Sequence, residues 1–211
     1  MRIGGSRLAI VLGTVIALTG IALAAMTRST TPPTDRSEAV TARPKPESPG
    51  RDRVVPAEVA MAMKELDLIR PAQQKLAEDF TLKKADGGMF QLSEHRGKVV
   101  FINFWATWCP PCREEMPAME RLFQRSQKDS LVMLAVSVDA DPTVVAQFLK
   151  EQRFTFTIGL DPKMKLADTY GVRALPASFI VDRQGHLAAL ALGPRTWDNR
   201  AAQMLVERMS R

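Results

Sequence analysis

Val99-Val100-Phe101-Ile102-Asn103-Phe104-Trp105-Ala106-Thr107-Trp108-Cys109-Pro110-Pro111-Cys112-Arg113-Glu114-Glu115-Met116-Pro117 holds a buried strand, a turn and the start of a helix in one run. Val99 to Ala106 is almost continuously apolar, as expected of a strand covered on both faces. Pro110 suits the first position of a helix that should run to about Gln127, because a missing N–H costs nothing there and φ is preset. Cys109 then falls at or beside the N-cap, facing unpaired N–H groups and the positive end of the helix dipole. Such a place stabilises a thiolate, the form that attacks disulfides. Cys112 lies one turn further in, less exposed and able to close back on Cys109.

These are the only two cysteines, and the two histidines, His95 and His186, stand far from them. A Cys-x-x-Cys pair can be half of a zinc site, but the second half is missing. A c-type haem site needs His after the second cysteine, where this chain has Arg113. A disulfide-stapled secreted domain would carry more cysteines. Redox chemistry is the reading that survives, with no metal and no cofactor expected.

Outward from this stretch the pattern is that of an α/β domain. Upstream, Phe80-Thr81-Leu82 and Met89-Phe90-Gln91-Leu92 flank Asp86-Gly87-Gly88, a hairpin. Downstream come a buried strand at Leu131–Val138, a helix at Thr143–Gln152, a strand at Phe154–Leu160 and a short helix at Lys165–Tyr170. Strands at Ser178–Val181 and His186–Leu192 flank Asp182-Arg183-Gln184-Gly185, and a helix at Trp197–Met209 closes the chain. Strands alternating with helices imply parallel pairing through crossover helices, and the two hairpins add antiparallel strands, so the central sheet is mixed.

Ahead of that domain, Leu8 to Met26 is an uncharged run of roughly 20 residues, about what a helix needs to cross a bilayer. It reads as a signal anchor. Ala22-Leu23-Ala24 also fits a signal-peptide cleavage site, but the apolar run is longer than an ordinary signal-peptide core. Arg2 and Arg7 precede the run while Arg28, Arg36, Arg43 and Lys45 follow it, so charge alone leaves the orientation open. The signal-like start and the disulfide chemistry place the domain outside the cytoplasmic membrane. The expected organisation is a cytoplasmic stub and anchor over 1–26, a Pro/Ser/Thr-rich linker over 27–53, a short amphipathic helix over 54–71 and the α/β domain over 72–211. Val55, Val59, Met63 and Leu66 make the apolar face of that short helix, which Arg70-Pro71 should end. The helix packs on its own domain or docks a partner.

The formal charge of +6 is spread along the chain without a basic run, and the few aromatic residues sit in apolar stretches. Nucleic-acid binding is therefore not expected.

Phe104 to Pro117, the leading Asp79-Phe80-Thr81-Leu82 and the later Gly171-Val172-Arg173-Ala174-Leu175-Pro176 resemble the thioredoxin superfamily. Within it they look like the TlpA/ResA/DsbE type of membrane-anchored, exported thiol–disulfide oxidoreductases, over roughly Ala77 to Met209. The resemblance implies a thioredoxin-like three-layer α/β/α sandwich with an N-terminal β-hairpin extension and a helical insertion near Asp139–Arg153. It implies a redox-active disulfide of Cys109 and Cys112. Asn103 stands where thioredoxins proper carry a buried Asp, and Glu115 stands where the TlpA/ResA type places a proton-handling Glu. Helix geometry agrees, since Glu115 lies roughly 60° around the axis from Cys112 and Glu114 on the far side; the plainer alternative makes both glutamates solvated first-turn residues. Leu175-Pro176 resembles the family's cis-proline loop, which offers the Leu175 backbone to an extended substrate, with Trp108 as a further substrate contact. Trp105, Met116, Met119 and Phe123 read as core, Pro117 as a helix kink, and both histidines as surface residues.

The family likeness further implies a reducing task on exported protein disulfides, apocytochrome c among them, fed by a membrane thiol reductant. The same residues would also serve an oxidant that introduces disulfides, or a non-catalytic redox-sensing membrane adaptor. A peroxidase is disfavoured because no threonine-then-cysteine peroxide pocket is evident.

Overall fold

The computed structural model describes residues 55–126 and 130–211. The expected anchor and linker lie outside these residues. Among the described residues no helix is long and apolar enough to cross a membrane.

Seven strands form one mixed sheet: β1 (Thr81–Lys84), β2 (Met89–Gln91), β3 (Val99–Trp105), β4 (Leu131–Ser137), β5 (Thr157–Leu160), β6 (Ala177–Val181) and β7 (Leu187–Leu192). Their order across the sheet is β2-β1-β5-β4-β3-β6-β7. β3, β4 and β5 pair in parallel, as their crossover helices require. The hairpins β1–β2 and β6–β7 add antiparallel strands at the two sides. Helices α1 (Ala57–Glu65), α2 (Pro110–Arg125), α3 (Pro142–Lys150), α4 (Lys165–Thr169) and α5 (Arg200–Met209) cover it. The fold is the thioredoxin-like α/β arrangement.

β3 is buried along its whole length and its alternation sorts the two layers. Phe101 meets the Trp197 ring, Asn103 bonds to Glu115 on α2, and Trp105 meets Phe148 on α3, all on one face. Phe104 faces the other way, against Tyr170 at the end of α4 and Phe179. α2 continues through Pro117 to Arg125 and buries Cys112, Glu115, Met116 and Met119; Phe123 is half-buried.

Two expectations about elements and one about the histidines need correction. The strand expected from Phe154 begins only at Thr157, because the Thr155 N–H and hydroxyl are taken by the Glu120 carboxylate at 2.8 and 2.6 Å and leave the ladder. α1 ends at Glu65 rather than at Arg70-Pro71. Asp67 turns to a positive φ of 49°, and the Leu68 N–H bonds back to Met63 O. The chain then runs along the outer edge of β7, pairing Ile69 with Leu190 and Leu76 with His186, which blunts that edge. Finally, the histidines are half-buried, His95 with its ring tilted against Phe90 at 4.5 Å and His186 held in the β6–β7 turn beside Asp182. α1 itself packs on α5, with Glu58 paired to Arg208.

Candidate functional site

At the carboxyl ends of β3 and β4 the chain turns into α2. Cys109 is the N-cap of α2 and Pro110 and Pro111 are its first residues. With two N–H groups removed by proline, the Cys112 N–H is the first backbone donor free to face the Cys109 sulfur. Cys109 and Cys112 are joined as a disulfide with Cα atoms 5.3 Å apart. Both are buried, Cys112 the more completely.

The turn before Cys109 is pinned from β4. The Asp139 carboxylate, 3 % exposed, accepts from the Thr107 N–H at 3.0 Å and hydroxyl at 2.7 Å, and from the Ser137 hydroxyl at 2.7 Å. The Val138 N–H also donates to Trp105 O at 2.9 Å. Asp139 thus fixes the approach to the disulfide, and no motif pointed to it.

One turn along α2 from Cys112 sits Glu115, 4 % exposed, while its neighbour Glu114 is exposed. Three donors converge on its carboxylate. Asn103 Nδ2 reaches Oε1 at 2.8 Å; the Arg195 backbone N–H and Trp197 Nε1 reach Oε2 at 3.0 and 3.2 Å. Asn103 Nδ2 also donates to Ser178 Oγ at 3.0 Å, across the Asn103–Ser178 pair of β3 and β6. Asn103 Oδ1 has no partner among the described residues. Burial pushes the Glu115 carboxyl up to about 6, against the pull of the Arg195 amide, Asn103, Trp197 and the Arg195 charge. Neither Arg195 nor Trp197 carried any local sequence signal. Trp197, expected as the first residue of the last helix, precedes it; Asn199 is the true cap, accepting from the Ala202 N–H.

Pro176 follows Leu175 through a cis peptide bond. β6 begins at the next residue, where Ala177 pairs with Phe104 near the end of β3, so this loop sits at the same end of the sheet as the disulfide. Leu175 is partly buried, and Trp108 stands 67 % exposed beside Cys109. The sequence-predicted residues Trp108, Cys109, Cys112, Glu115, Leu175 and Pro176 therefore gather at one end of the sheet. Among the described residues no cluster of His, Cys, Asp or Glu could hold a metal ion.

The AhpC/TSA family model matches residues 74–190. The chain is 38% identical over 120 residues to the thiol-disulfide oxidoreductase ResA of Geobacillus thermodenitrificans, covering 57% of this chain and 69% of that protein. It is 34% identical over 122 residues to ResA of Bacillus anthracis, covering 58% of this chain and 70% of that one. Among solved structures it is similar to a protein described as thiol:disulfide interchange protein DsbE from Chlorobium tepidum (32% identity, TM-score 0.60, 67% of this chain and 99% of that one). It is also similar to StoA from Bacillus subtilis (28% identity, TM-score 0.53, 62% and 96%).

Proposed function

We propose, for a chain that belongs to the AhpC/TSA family and is a thiol–disulfide oxidoreductase of thioredoxin fold, that it reduces disulfides of exported proteins, with Cys109 as nucleophile, Cys112 as resolving thiol and Glu115 as proton relay. The observation that carries the exchange mechanism is the placement of Glu115, buried with Cys112 in α2 one turn beyond the Cys109–Cys112 disulfide, where burial raises its carboxyl to about 6; the reducing direction rests on the family likeness. In the reduced chain the Cys109 thiolate attacks one sulfur of the partner's disulfide and expels the other as a thiolate. Glu115 then takes the Cys112 proton, and the Cys112 thiolate attacks the Cys109 sulfur of the mixed disulfide. The partner leaves with both sulfurs reduced, and the chain is left with the Cys109–Cys112 disulfide present in this structure. Trp108 and the Leu175-Pro176 loop receive the extended substrate, the Leu175 backbone pairing with it in the manner of an added strand.

The apolar run over 8–26 anchors the chain in the cytoplasmic membrane and the 27–53 linker holds the domain on the extracytoplasmic side. Disulfides of apocytochrome c are the substrate class and a membrane thiol reductant regenerates the dithiol. Docking of α1 on α5 favours an enzyme over an adaptor, which would need that helix free for a partner. Replacing Cys112 with Ser in the full chain removes the resolving step, so exported partners should accumulate as mixed disulfides with Cys109, visible on non-reducing gels and named by mass spectrometry. A C112S chain that traps nothing while C109S behaves identically would overturn the exchange mechanism.

A further inference from the structure

Arg195 bonds both to the residues that end α1 and to the buried Glu115 carboxylate. Its guanidinium is nearly saturated. Nε donates to Leu66 O at 2.7 Å, and Nη2 donates to Asp67 O at 3.0 Å and Asp67 Oδ2 at 2.9 Å, all at the end of α1. Nη1 turns back on its own loop, to Leu192 O at 3.1 Å, Gly193 O at 3.3 Å and Pro194 O at 3.0 Å. Only a planar, multi-donor head can tie this many carbonyls at once; a lysine ammonium cannot span them. The loop so tied presents the Arg195 N–H, and two residues on the Trp197 indole, to the same Glu115 oxygen.

We propose that Arg195 is a positioning residue for Glu115: by clamping the 192–195 loop to the end of α1, it holds the amide and indole donors on the carboxylate and makes its proton transfer depend on α1 being docked. This rests on the relay role proposed for Glu115. Hydrogen bonds to the ionised form favour ionisation, so a loosened loop leaves the carboxyl protonated to higher pH. The other charges around it are few. Glu65 at the end of α1, Asp67 just beyond it and Glu114 from α2 line, with Glu115 and Arg195, a cleft of about 420 Å3. From the sheet the neutral Asn103 donates to it and, through Asn103, Ser178 is linked, and on its own helix Cys112 lies one turn away. Burial raises the Glu115 carboxyl, and the Arg195 amide, the Trp197 indole and the Arg195 charge, all carried on the clamped loop, act against it.

The test is a pH titration of the Glu115 carboxyl by infrared difference spectroscopy on the full oxidised chain in detergent, each protein read against its own E115Q counterpart. Arg195→Ala should move the midpoint upward by about one pH unit, a tenfold change in the protonated-to-ionised ratio at fixed pH. Arg195→Lys, which keeps the charge but not the fork, should move it part of the way. An unmoved midpoint in R195A overturns the proposal, as does an unmoved midpoint in R195K if R195A fails to fold. The relay is read separately. If E115Q leaves the pH profile of exchange unchanged the relay fails, while the titration still decides what Arg195 does.

Discussion

Glu115→Gln replaces a buried acid by a neutral side chain of the same shape, and the structure sets the size of the effect. The carboxyl moves from 4.5 to about 6 on folding, largely through burial. Its folded pKa is raised, so below the unfolded value both states are protonated and the shift costs nothing. As pH climbs through 4.5 to 6 the unfolded chain ionises first, and native stability falls. At about 1.36 kcal/mol per unit, wild type should lose ~2 kcal/mol relative to E115Q between about pH 4 and about pH 8. Taking the difference between the two proteins cancels every other titrating group. The glutamine oxygen can still accept from Arg195 and Trp197, and its amide can donate to Asn103 Oδ1, now without a partner among the described residues, once that side chain turns over. Urea unfolding of the oxidised proteins across that range reads the cycle, and the melting temperatures should diverge by about 4–8 °C. A gap between the two proteins that stays constant with pH, or that closes as pH rises, would refute a raised Glu115 carboxyl.

Asp139→Ala removes the acceptor of the Thr107 N–H and hydroxyl and of the Ser137 hydroxyl and leaves a half-buried N–H behind, so it should cost on the order of 2–4 kcal/mol in urea unfolding and slow exchange at Cys109; a loss under about 0.5 kcal/mol would show that Asp139 does not hold the turn. Trp108→Ala, at an exposed position, should leave stability within about 0.5 kcal/mol yet lower kcat/KM on a protein disulfide about tenfold. Equal rates for mutant and wild type on a peptide disulfide would remove Trp108 from the substrate surface.

What the sequence made legible was local. The apolar run ending at Ala106 and a proline after Cys109 are contiguous signals, and they describe β3 and the N-cap of α2 as the structure has them. The helical repeat likewise separated Glu115 from Glu114. The environment of Glu115 was not legible, because its donors come from 12, 80 and 82 residues away and depend on how β3, the 193–199 loop and α2 pack. Asp139 was hidden for the same reason, lying 32 residues from the turn it holds. Phe154–Phe156 has strand-like composition, but Glu120 on α2 captures the Thr155 backbone first. α1 stops short of the proline that would have ended it, since Asp67 adopts the left-handed conformation and hands Leu66 and Asp67 to Arg195.

Whether the Cys109–Cys112 pair works as a reductant is read from its equilibrium potential. The full chain in detergent is equilibrated in thiol–disulfide buffers, quenched, and read by the mass added on alkylation. A potential near that of thioredoxin, about −270 mV, is what the account predicts. One near the oxidising end of the scale, about −120 mV, would contradict it and make the chain a disulfide donor.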